Sequence, residues 1–263
     1  MAQWSANINV MIKAARRAGR MLMRDFGEVD KLQVSTKGTG EFVNRADIRA
    51  EEFLREDLEE ARANYGWTSE RAGEVAGSDP TRRWIVAPLE GAENFVHGLP
   101  HWALSIALEY KGEIVAALVF NPIDEELFVA EKGNGSWLND QRIRVSGRRD
   151  MDRLIVGTTL PPKGKSGLPA VLKDIAHIAP AVTGIRNWGC SSLNLAYVAA
   201  GRYDACWDRK LDIWNIAAGA LIVKEAGGLS QGMKDGSDPL ETGSIIAANN
   251  EVFDRFAKTL RNA

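Results

Sequence analysis

The sequence predicts a mixed α/β fold with helices layered on sheets. Three observations point there. The N-terminal segment repeats apolar residues at helical spacing. The middle of the chain carries short apolar runs separated by glycine turns. The last third alternates strand-like and helix-like segments.

In chain order, the first helix is expected over about Ser5 to Phe26. Ile8, Met11, Ile12, Ala15, Ala18 and Leu22 share one face. Lys13, Arg16, Arg17, Arg20 and Arg24 share the opposite face, with no acids on that arc. A second helix is expected from about Ala46 to Asn64. Trp84-Ile85-Val86 reads as a short buried strand ending at Pro88. Ala103 to Tyr110 and Ile114 to Phe120 read as a hairpin turning at Lys111-Gly112, followed by a strand over Leu127 to Ala130. Gly133-Asn134-Gly135 marks another turn. Further on, strands are expected at Leu154 to Gly157, Tyr203 to Trp207 and Ser244 to Ala248. Helices are expected at Leu168 to His177, Ser191 to Ala200, Trp214 to Ala226 and Glu251 to Leu260. Gly201 suits a left-handed helix cap.

The chain has 263 residues, a formal net charge of -2, 45% hydrophobic and 26% charged residues. That is ordinary globular composition, with no bulk attraction to nucleic acid or anionic membrane. The length accommodates one large domain or two packed lobes. The lobes are expected at 1–150 and 151–263, near the Lys-, Gly- and Pro-rich stretch Pro161 to Gly167. Cys190 and Cys206 make neither a disulfide framework nor a zinc motif, and read as buried thiols. No secretory leader and no membrane span is apparent, so a cytoplasmic protein is expected.

The run from Trp84 to Gly98, Trp-Ile-Val-Ala-Pro-Leu-Glu-Gly-Ala-Glu-Asn-Phe-Val-His-Gly, resembles the signature W-I-V-D-P-L-D-G-T-x-N-F-x-H-G of the inositol monophosphatase family. Trp214-Asn215-Ile216-Ala217-Ala218-Gly219 resembles its second signature, W-D-x-A-A-G. The resemblance also runs through Lys37 to Asp47, Glu70 and Gly189 to Gly201. It is nearest to the bacterial extragenic-suppressor, SuhB-like branch. It implies an αβαβα sandwich of the inositol monophosphatase and sugar phosphatase type.

The resemblance further implies a Mg²⁺-dependent phosphoric monoester hydrolase, in which converging carboxylates hold two or three ions on the phosphate. At the family's metal positions this chain has Glu70, Ala87, the Leu89 carbonyl, Glu90 and Asn215. Only Glu70 keeps the family residue among the four carboxylate positions. Ala87 has no side-chain oxygen. Asn215 offers a neutral one. Glu90 is longer than Asp by one bond, about 1.5 Å. Of the pair that orients the attacking water, Asp47 is kept and Ala92 replaces Thr. Arg71 stands where the family carries a second acid.

The expectation from these positions is a family member that has lost its Mg²⁺-dependent activity. It would serve as a scaffold or regulatory protein, with no cofactor and weak or absent Mg²⁺ binding. The alternative is a residual or altered Mg²⁺-dependent phosphatase of inositol or sugar phosphates. Glu93, three residues after Glu90, either rejoins the site or is an exposed first-turn acid. Gly91 and Ala92 open a short helix whose amides suit an anion. Asp208 matches a family position that contacts a substrate hydroxyl. Lys37 and Arg71 either supply charge to a phosphate or are solvated.

His97 and His101 flank Leu99-Pro100, which breaks the helix a metal pair would need, so both read as structural. Ser191-Ser192 reads as a helix cap rather than a nucleophile. By resemblance the chain is a homodimer, with a possible protein or nucleoprotein partner in the transcription machinery. The basic face of the first helix is its candidate interaction surface.

Overall fold

The computed structural model describes residues 4–29 and 39–262. Helix α1 (Ala6–Phe26) starts where Ser5 accepts a hydrogen bond from the Ile8 amide at 3.4 Å. Helix α2 (Thr39–Ala61) begins well before Ala46. Gly40 lies in its first turn, where amides have no intrahelical acceptor to lose.

Eight strands follow in one sheet, interrupted by one short helix. They are β1 (Tyr65–Ser69), β2 (Gly73–Val75), β3 (Asp79–Glu90), then α3 (Ala92–Val96), β4 (Ala103–Tyr110), β5 (Glu113–Asn121), β6 (Glu126–Glu131), β7 (Gly135–Leu138) and β8 (Gln141–Ile143). Their spatial order is β2-β1-β3-β4-β5-β6-β7-β8, antiparallel except for β1 beside β3. The chain continues through β9 (Ile155–Thr158), α4 (Leu168–Ile178), β10 (Gly184–Arg186), α5 (Ser191–Ala199), β11 (Ala205–Asp208), α6 (Ile213–Glu225), β12 (Leu229–Gln231), α7 (Pro239–Thr242), β13 (Ile245–Ala248) and α8 (Phe253–Arg261). The second sheet has the order β10-β9-β11-β13-β12.

Both sheets are covered on both faces, as the alternation of side chains requires. Trp84 and Val86 of β3 and Leu104, Ile106 and Leu108 of β4 pack against α1 and α2. On the reverse face, Ile85, Ala103, Ala107 and Val119 meet α5 and α6, which also cover Cys206, Ile245 and Ala247 of the second sheet. Trp207, Ile246 and Ala248 face outward from that sheet onto Phe253, Phe256 and Leu260 of α8. The layers are therefore helix, sheet, helix, sheet, helix. The two cysteines are buried and free.

Strand β3 does not stop at Pro88. It pairs Ala87 with Ser105 and Glu90 with Ala103, so three steps on β3 oppose two on β4. The extra residue is a bulge. A proline, lacking an amide hydrogen, is tolerated there without losing a ladder bond. The expected cap at Gly201 is present at φ 68°. Trp84 is fully buried, whereas Trp214 is only half-buried.

Candidate active site

The bulge delivers the end of β3 to a tight turn. Gly91 adopts φ 89°, and a Cβ there would lie 3.0 Å from the His101 carbonyl oxygen. Both the left-handed backbone and the close approach demand glycine. Helix α3 then starts at Ala92, exposed, as is Glu93 in its first turn. Asn94 anchors this helix by donating from Nδ2 to the His101 carbonyl at 2.6 Å and the Trp188 carbonyl at 2.5 Å.

Strand pairing brings the other positions alongside. Ser69 of β1 pairs with Val86, which places Glu70 at the strand end next to Ala87. Ser105, opposite Ala87, donates to the Trp214 carbonyl at 2.9 Å, which brings the first turn of α6 and Asn215 to the same place. Asp47 of α2 lies in the field of Glu51 and Glu70. Burial, then those two charges, push its carboxyl up to about 6, with Arg71 pulling the other way.

Arg71 does not stand free in the site. Its Nε donates to Glu51 Oε2 at 3.0 Å. Glu51 is buried and also accepts from Ser69 Oγ at 2.6 Å and Trp67 Nε1 at 3.1 Å. A buried carboxylate with three polar contacts across α2, β1 and the loop after it fixes this wall. Glu51 escaped sequence reasoning. Its spacing of four from Asp47 on one helix is the signal that could have found it.

Glu90 is the larger surprise. Its carboxylate is buried and turned to the N-terminus of α5, where Oε1 accepts from the Ser191 amide at 2.7 Å and from the Ser192 amide at 3.2 Å. The expected cap by a serine side chain is absent, since the N-cap position is Cys190 with no side-chain bond. Glu90 caps α5 from another sheet instead. Burial pushes it up to about 7 against those stabilising bonds, and the charge of Asp208 adds to the rise. Asp208 is itself fully buried, accepts from the Thr159 amide at 2.5 Å and its hydroxyl at 2.7 Å, and is pushed by burial to about 6. Nothing in the sequence pattern marks Thr159.

His97 is exposed at the end of α3, whereas His101 is buried with its ring 5.5 Å from Trp188 and 5.9 Å from Tyr197. Lys37 lies outside the described residues. Among the described residues no cluster of three or more His, Cys, Asp or Glu side chains is arranged to hold a metal. Ala87 offers no side-chain oxygen, and the Glu90 carboxylate is taken up by the α5 amides. The residues present do not fit the family's two- or three-ion set.

The model of the inositol monophosphatase family matches residues 3–263. The chain belongs to that family. It is similar to an inositol-1-monophosphatase of Rhizobium meliloti, 48% identical over 98% of this chain and 95% of that protein. It is also similar to the Nus factor SuhB of Pseudomonas aeruginosa, 38% identical over 97% of this chain and 95% of that one. A crystal structure of the extragenic suppressor protein SuhB from Bartonella henselae matches with a TM-score of 0.90 and 42% identity, covering 98% of this chain and all of that one. The αβαβα sandwich of the family is thus the fold of this member. The expectation that the chain has left phosphatase chemistry for scaffolding is overturned by the first of these relatives, which carries the phosphatase name at the higher identity. Among the described residues no helix is long and apolar enough to cross a membrane.

Proposed function

We propose that this family member is a phosphomonoesterase of inositol or sugar phosphates whose site works with an altered set of residues. The observation that carries the reading is the 48% identity, over almost the whole chain, to a protein named inositol-1-monophosphatase. The persistence of Asp47 and Glu70 beside the β3 turn supports it.

In this reading Asp47 takes the proton from the attacking water. A carboxyl pushed to about 6 is a stronger base than an ordinary aspartate and remains ionised at neutral pH. Glu70 and the Glu51–Arg71 pair set the field around it. Asp208 and the start of α5 form the wall that receives the alcohol part of the substrate, and Glu90 holds that wall in place. The family's activity depends on Mg²⁺. With Ala87, Glu90 and Asn215 at the ligand positions, Mg²⁺ affinity is expected below that of relatives with the full carboxylate set, which a calorimetric titration measures.

The test is phosphate release as a function of pH. Activity should fall as pH drops through about 6, where Asp47 takes up its proton. Asp47→Asn should abolish that acid limb together with most of the turnover. Unchanged turnover in Asp47→Asn would remove the assignment.

The same proposal includes a homodimer, and a partner in the transcription machinery on the strength of the Nus factor name carried by the Pseudomonas relative. A cytoplasmic setting and the division into lobes near residue 150 complete it. The free thiols of Cys190 and Cys206 suit a reducing compartment.

A further inference from the structure

The five cations of α1 are not equivalent. Arg17 pairs with Glu56 at 2.7 Å and Asp57 at 3.0 Å, both from α2. Lys13 reaches Asp57 at 3.5 Å, and Arg24 lies 3.7 Å from Asp25. The opposing acids missing from the sequence arc are supplied by the neighbouring helix and by Asp25. Arg16 and Arg20 are left exposed, with no acidic partner among the described residues. Four residues apart, they stand one turn from each other on the same face.

Beside them opens a cavity of about 490 Å³. Arg16 and Arg20 form one wall. Met23, Phe120, Pro122 and Ile123 supply apolar surface, and Glu125 stands in the lining as the single acid. Gly19 lets the helix press against the strand end here. A Cβ on it would lie 2.6 Å from Phe120 Cε1 and 3.2 Å from Pro122. The cavity is thus a consequence of how α1 meets the end of β5 and the turn after it. It lies among elements that contribute no residue to the candidate active site.

We infer that this groove is a binding site for a compact apolar molecule bearing a single anionic group, a carboxylate, sulfonate or phosphate ester. Its size falls in the range of small-ligand pockets, about 300–1,000 Å³. Two guanidiniums without a protein acid supply the charge complement, and planar donors suit such head groups. The apolar wall supplies the contact area for the body. Glu125 orients the ligand, because the anionic head avoids it and turns to α1. Nucleic acid fits less well, since an apolar floor has nothing to offer a phosphate backbone.

The experiment is an equilibrium fluorescence titration of the full chain with 1-anilinonaphthalene-8-sulfonate. The uncharged N-phenyl-1-naphthylamine, which has the same aromatic body, is titrated in parallel. The sulfonate should bind saturably with one molecule per chain and weaken with added salt. The double variant Arg16→Gln/Arg20→Gln should lose affinity for it by about tenfold, the scale of one lost charge-assisted contact. That variant should leave the uncharged probe unaffected, whereas Ile123→Asp should weaken both probes. Thermal unfolding midpoints matching the parent confirm that the variants are folded. Binding of the sulfonate within twofold of the parent in the double variant would overturn the inference. So would the absence of saturable binding, or several equivalent sites insensitive to all three substitutions.

Discussion

At the scale of the residue, Glu90 changes role without changing charge. Read as a lengthened aspartate, it belongs beside Ala87 and Asn215. In the fold its extra methylene carries the carboxylate to two amides of α5, at 2.7 Å and 3.2 Å. Glu90→Asp retracts the group by about one bond, so it should lose that cap and lower stability by about 1 kcal/mol in a denaturant titration, the usual worth of a helix cap. The pH dependence has a definite sign. A buried acid whose folded value is about 7, against 4.5 unfolded, binds more protons folded than unfolded between those values. Its contribution to stability is therefore full below 4.5 and lost as pH rises through about 7. Glu90→Gln, which cannot titrate, should flatten the stability–pH curve across that window. An unchanged slope would assign the titration elsewhere. Arg71 offers a second check. Removing it in Arg71→Ala leaves Glu51 buried without its cation, and the acid limb of activity assigned to Asp47 should move upward in pH.

At the scale of the element, the turn from β3 into α3 sets the site's shape. Its register shift, its proline and its left-handed glycine act together. Gly91→Ala should cost at least about 1–2 kcal/mol, because a left-handed backbone penalises a Cβ and this one also meets the His101 carbonyl. Thermal unfolding measures it, and a neutral result would mean that the turn is softer than its contacts imply. These elements were unevenly legible in the sequence. The amphipathic pattern of α1, the β4–β5 hairpin and the Gly201 cap could be read directly, since each rests on local periodicity or one conformational demand. Strands of three to five residues, such as β1, β2 and β10, are too short to show alternation. The end of β3 was missed because proline usually closes a strand, and only pairing with β4 reveals the bulge that accommodates it.

At the scale of the whole molecule, the αβαβα layering follows from two sheets that are apolar on both faces. That much was legible from the motifs, and the substitutions at Ala87, Glu90, Ala92 and Asn215 were legible too. Their consequences were not. Where Glu90 points depends on α5, 101 residues away in sequence. Whether Arg71 intrudes on the site depends on Glu51. The loss of activity inferred from the ligand positions alone does not survive the likeness to an inositol-1-monophosphatase along nearly the full chain. The most direct test is phosphate release from inositol 1-phosphate in the presence of Mg²⁺. The parent is compared with Glu70→Gln and with a variant carrying Ala87→Asp, Glu90→Asp, Ala92→Thr and Asn215→Asp. The account predicts measurable turnover by the parent, its loss in Glu70→Gln, and faster turnover with tighter Mg²⁺ dependence in the fourfold variant. No release by the parent under conditions where the fourfold variant turns over would contradict the proposed activity.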